Sequence, residues 1–109
     1  MKTYLPLGVY SITALAAITP KLFVGLTGAV CGADAKSLGV SEVDTDPGEQ
    51  CPVIISGIAL VTSGAAVSVG AEISSNAAGK AITQVAGAIN GYALDEATAA
   101  DQAIRILLV

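Results

Sequence analysis

The sequence predicts an all-β fold: a small barrel or sandwich of short antiparallel strands with an extended N-terminal arm. Three observations carry this expectation. Gly and Pro punctuate the chain every several residues from Pro6 to Gly91. Between them lie short apolar runs rich in Val, Ile and Thr, at the spacing of barrel or sandwich strands. No stretch holds a helical period for more than about two turns. A chain of 109 residues fits one domain. Within it, residues 1–27 read as an arm with the first strands, and residues 28–109 as a barrel-like body.

Taken in order, Tyr4-Leu5-Pro6-Leu7 reads as extended, because a residue before Pro is pushed toward β or polyproline geometry. Val9 to Ala16 fits a strand or a short helix. Lys21 to Leu26 is a strand candidate, with a second segment from Ala29 to Ala33 after Gly28. Ser37 to Val43 alternates apolar and polar residues, which places Leu38, Val40 or Val43 inward. Asp44-Thr45-Asp46-Pro47-Gly48 is a turn, since Pro presets φ and Gly accepts positive φ. Gln50 to Ser56 returns with Cys51, Val53 and Ile55 on one face, completing a hairpin. Pro52 places that strand at an edge, or starts it later.

Ile58 to Val61 follows as a separate run, ending at Ser63-Gly64. Ala66 to Val69 and Glu72 to Ser74 flank Gly70. Asn76-Ala77-Ala78-Gly79 is a turn, Lys80 to Val85 a strand, and Asn90-Gly91 a strong turn signal. Tyr92 to Leu94 leads into Asp95–Ala100, where one helical turn fits. Ala103 to Val109 is the last strand. Its Leu-Leu-Val end is expected to be buried in the barrel or against a partner.

Composition bounds the function. Hydrophobic residues make up 53% of the chain and charged ones 13%, too few charges to cover a small domain comfortably. The surplus apolar surface points to partner contacts. Net charge is −4 and the five basic residues are scattered, so the chain offers no stripe for nucleic acid. Leu7 to Ile18 has the outline of a secretion signal, but Pro6, Gly8, Ser11 and Thr13 interrupt it and only Lys2 precedes it. The same run is too short and too polar for a membrane span.

No catalytic, cofactor-binding or metal-binding set emerges. There is no His, the side chain that most readily does proton transfer near neutral pH. Cys31 and Cys51 cannot hold zinc by themselves; they read as buried free thiols, with a disulfide as the alternative. Asp44, Asp46 and Glu49 resemble part of a calcium loop, but the twelfth position is Ile55, so they read as a solvated turn. Asp95 and Glu96 would point to opposite faces of a strand, so they read as capping or surface charge. No Ser has a base at a workable spacing, and Gly25, Gly28 and Gly32 do not match a phosphate-binding loop. Tyr4, Tyr10, Phe23 and Tyr92 read as core or interface anchors.

From about Leu22 to Val109 the chain resembles the small cement, or capsid decoration, proteins of tailed bacteriophages. The resemblance rests on an ordered set of turns and strands. These are Ser37-Leu38-Gly39-Val40, Pro47-Gly48-Glu49, and Val61 to Gly70 running on through Glu72-Ile73-Ser74-Ser75-Asn76 to Gly79-Lys80-Ala81. Asn90-Gly91-Tyr92-Ala93-Leu94-Asp95 and Ile104-Arg105-Ile106-Leu107-Leu108 complete it. Ala100-Asp101-Gln102 departs from the family's pattern, and so does the N-terminal region.

The resemblance implies a non-enzymatic virion protein on the outer capsid surface, assembled in the host cytoplasm. It would form dimers or trimers and bridge subunits of the phage major capsid protein. Candidate capsid or subunit contacts are Lys2, Tyr4, Leu5, Pro6 and Leu7 in the arm and Leu107, Leu108 and Val109 at the other end. No cofactor, nucleic acid or membrane is expected. Alternative readings are a secreted or surface adhesin-like β-domain, a phage spike or baseplate component, and a small-ligand barrel.

Overall fold

A computed structural model describes residues 5–108. The described residues form strands and loops without a helix. The strands are β1 (Leu5–Thr13), β2 (Phe23–Gly25), β3 (Ser37–Ser41), β4 (Gln50–Thr62), β5 (Glu72–Ser75), β6 (Ala81–Thr83), β7 (Gly91–Ala93) and β8 (Ala103–Leu108). All pair antiparallel in one sheet of order β2-β3-β4-β8-β7-β5-β6, with β1 also on β4. The end strands β2 and β6 are drawn together by the Phe23 N–H, which donates to the Gly79 carbonyl at 2.8 Å. Gly64 N–H donates to Ala81 O and Thr62 N–H to Lys21 O along the same seam, so the sheet nearly closes into a barrel.

β4 organises the molecule. Ile54 is in register with Val9 of β1 and Val40 of β3, while Ile58 is in register with Leu5 of β1 and Leu107 of β8. β1 therefore runs along one edge of β4, and β3 and β8 divide the other. Midway, the β1–β4 register shifts around Gly8, and Gly57 takes φ 97°. That conformation suits glycine, and a Cβ there would lie 2.2 Å from the Leu5 carbonyl oxygen. The bulge adds a residue and so exchanges the faces of the strand. Before it, Ile54 enters the main core and Cys51 and Val53 enter a second one; after it, Ala59 and Val61 enter the main core. The two runs read as separate in the sequence are thus one strand of 13 residues.

The main core joins Phe23, Val40, Ile54, Val61, Ile73, Ile104 and Ile106. The second lies under the segment between β1 and β2, where Ala14, Ile18 and Val24 meet Cys51 and Val53. Both cysteines are buried free thiols, one in each core. Burial pushes the Cys31 thiol pKa up, partly opposed by a hydrogen bond with Ser75 and by the charge of Lys36.

Several local expectations need correction. Leu5, Pro6 and Leu7 are extended, but as the start of β1 paired to the protein's own β4 and not as a free arm. Pro52 lies inside a central strand, opposite Ser11 on one side and accepting from Glu42 N–H on the other. Val43 is exposed, and of the segment 29–33 only Val30 makes a bridge, to Val24. Residues 95–100 form no helix; Ala97 makes an antiparallel bridge to Val67 instead.

Asn90 does not make a hairpin turn. It is buried, accepting from the Ser37 N–H at 2.9 Å and donating to the Ala35 carbonyl at 3.0 Å. It thereby pins the loop before β3 to the start of β7. The turn read at Asp44–Gly48 is confined to Asp46–Glu49, where Glu49 N–H donates to Asp46 O, because Thr45 bridges Ile18; the turn at Asn76–Gly79 forms as read. In the second, the Asn76 side chain accepts from the N–H groups of Ala78 and Lys80.

Candidate interaction surface

Residues directly opposite on paired strands share a face. Leu5, Ile58, Leu107, Tyr92 and Glu72 form one such row across β1, β4, β8, β7 and β5. The row faces outward: Leu5, Leu107 and Tyr92 are all more than a third exposed, and Leu107 is 43% exposed. Its apolar part carries no charge until Glu72 at the far end. The neighbouring row, Ala59, Ile106 and Ala93, is buried in the main core. Alternation along β8 thus divides the expected contact residues. Leu107 stands in solvent, whereas Leu108 packs against the main core. Of the two burials expected for the end of the last strand, the barrel takes Leu108 and leaves Leu107 exposed.

β1 extends the exposed apolar surface. Leu7 is 70% exposed, and Val9 and Tyr10 are about half exposed although they point to opposite faces. Val9 is in register with Ile54 and Val40, and Tyr10 with Val53, so buried rows of both cores run outward to β1. Ile55, also exposed, lies beside Gly8. Among the predicted contact residues, Leu5 and Leu107 therefore share the outer row across β4, and Pro6 and Leu7 are exposed on β1 beside it. Lys2, Tyr4 and Val109 lie outside the described residues. Sequence reading had Tyr10 as a core or interface anchor but missed Val9, Ile55 and Ile58; the register of β1 against β4 is what brings them together.

Several charged groups elsewhere are engaged within the fold. Arg105 grips Asp95 with two bonds, Nε to Oδ2 at 2.9 Å and an Nη to Oδ1 at 2.8 Å, and its backbone N–H adds a third. This carboxylate raises the Arg105 pKa further. Asp95 is thus a structural partner of β8 and not one of an acid pair with Glu96. Glu49 Oε1 accepts from the Asp46 N–H, so this carboxylate closes its own turn. Lys80 pairs with Asp101. Among the described residues, no group of three or more His, Cys, Asp or Glu could hold a metal ion. A groove of about 330 Å³ lined by Val67, Thr83, Glu96 and Thr98 opens widely to solvent and gathers no convergent polar set.

Comparison with curated proteins finds no match. Among solved structures, the N base of head fiber gp8.5 of bacteriophage phi29 superimposes with a TM-score of 0.76. The alignment covers 94% of this chain and 93% of that one at 18% identity, a likeness of fold. A family model described as phage cement protein matches residues 7–108, from within β1 to the end of β8. With nearly its whole length matched, the chain belongs to the phage cement protein family and is a structural, capsid-associated protein of the virion.

Proposed function

We propose that the protein docks on the outer face of the capsid and bridges neighbouring subunits of the major capsid protein. The observation that carries this reading is the uncharged outer row of Leu5, Ile58, Leu107 and Tyr92 on a chain of net charge −4. Such a patch has no partner within the described residues, and water is a poor one. The role is mechanical and needs no catalytic group: a rigid barrel holds an apolar row flat against a shell. One such contact is weak. Linked copies raise the effective concentration of the next contact, so avidity exceeds a single contact by about 10²–10⁴. Clamped in this way, the shell resists the outward pressure of packaged DNA.

Leu107→Asp tests the reading. The residue is half in solvent, so the variant should keep the wild-type fold by circular dichroism. Its occupancy on purified capsids should fall at least tenfold, because docking would bury an unpaired carboxylate. Wild-type occupancy by a folded variant would sink the proposal.

A further inference from the structure

We propose that Asn90–Gly91 is a self-modifying site held shut by the fold: it deamidates in the unfolded chain, is inert in the folded one, and once converted bars the chain from folding. The reaction is intramolecular. In a free chain the Gly91 backbone nitrogen gives its proton to water and attacks the Asn90 side-chain carbon Cγ. The new N–C bond forms, the Cγ–Nδ2 bond breaks, and Nδ2 leaves as ammonia. Water then opens the cyclic imide at either carbonyl. One opening gives aspartate; the other reroutes the main chain through the side chain and gives isoaspartate. Solvent water is the co-reactant, and nothing is oxidised or reduced. A following glycine favours the attack, because no Cβ shields the nitrogen and the backbone turns freely.

The fold requires both residues. The Asn90 amide donates to Ala35 O and accepts from Ser37 N–H, and its backbone N–H donates to Ile73 O at 2.7 Å. An amide gives and takes in this way, whereas a carboxylate only accepts. Gly91 is fixed by space, since a Cβ there would overlap the Ile106 side chain and the Leu107 carbonyl. The same contacts block the reaction. Asn90 is 1% exposed, and its amide cannot swing toward the Gly91 nitrogen without breaking both side-chain bonds. Gly91 is paired on one side with Ile73 of β5 and on the other with Leu108 of β8. The products do not fit the site. Aspartate sets an oxygen against the Ala35 carbonyl and a charge in the interior. Isoaspartate lengthens the backbone at the head of β7, out of step with β5 and β8. The other asparagine, Asn76, precedes Ala77 in a turn and serves as an internal reference. Nothing in this argument depends on the docking reading.

The test is to age the purified full chain in mildly alkaline buffer, with and without urea, and to map the products by mass spectrometry of peptides. In urea Asn90 should convert while Asn76 lags. Native buffer should slow conversion of Asn90 by about 10³-fold or more, the reciprocal of the fraction unfolded. Across the urea transition the rate should follow the unfolded fraction. Chain aged in urea should fail to regain the native circular dichroism on dilution, whereas chain unfolded only briefly should regain it. Asn90→Asp, made directly, should lower the urea midpoint or prevent folding. Comparable rates in native buffer and in urea would overturn the proposal, as would faster conversion of Asn76 than of Asn90 in urea. So would a converted chain, or an Asn90→Asp variant, that folds with the wild-type midpoint.

Discussion

β1 and β8 both pair with β4, and each brings several large aliphatic residues to it. Their surroundings differ. β8 has β7 on its other side, so Ile104 and Ile106 close the main core. β1 has β4 on one side and no described strand on the other, and its Leu5, Leu7, Val9 and Tyr10 stand in solvent. Apolar residues qualify a segment as a strand, but the number of neighbours decides whether its side chains are buried. In a protein that binds others, the strand with one neighbour is the one left available.

Truncation should expose this difference most strongly. Ile106→Ala removes fully buried volume, and the expected loss is about 2–5 kcal/mol by urea denaturation. Leu7→Ala should change stability by about 0.5 kcal/mol or less. Equal effects would mean that β1 is buried as deeply as β8.

Adding a methyl group sharpens the same contrast. A Cβ at Gly91, beside β8, would lie 2.4 Å from Ile106 Cγ2 and 2.6 Å from the Leu107 carbonyl oxygen. Gly91→Ala should therefore destabilise by about 1–3 kcal/mol. At Gly8 on β1 the nearest atom is Ile55 Cγ1 at 3.4 Å, an ordinary contact. Gly8→Ala should stay within about 0.5 kcal/mol of wild type in the same denaturation experiment.

The smallest effect concerns the core that β8 shares with Cys31. Burial raises the Cys31 pKa in the folded state. The unfolded thiol, with a value of about 8.5, then loses its proton first, so stability is intact below that pH and falls as pH rises through the folded value. The slope is at most about 1.4 kcal/mol per pH unit, and Cys31→Ala should lack this contribution when unfolding is followed from pH 7 to 10. An unchanged slope in the variant would show that Cys31 is ionised equally in both states.

Local chemistry was legible where one signal sufficed. Pro47-Gly48 predicts the β3–β4 turn, Asn76 to Gly79 the β5–β6 turn, and the alternation of Ile104 and Ile106 the inner face of β8. Signals failed where a distant partner reassigned a residue. Asn90-Gly91 has turn chemistry, yet Ser37 and Ala35 take the Asn90 side chain into the interior, and Gly91 serves close contact with β8. Gly57 looks like a break between strands because a lone glycine carries no sign that its positive φ continues one. The exposed apolar surface was half legible. Leu5, Leu7 and Leu107 were named as expected contacts and Tyr92 as an anchor, but Ile58 joins them only through a register that no short segment encodes.

The two-faced strand β4 has a further consequence. One backbone delivers Cys51 and Val53 to one core and Ile54, Ala59 and Val61 to the other. Neither cluster can come apart without dragging on the strand that anchors its sibling. Melting should therefore be all-or-none, with a single transition whichever spectroscopic probe is followed.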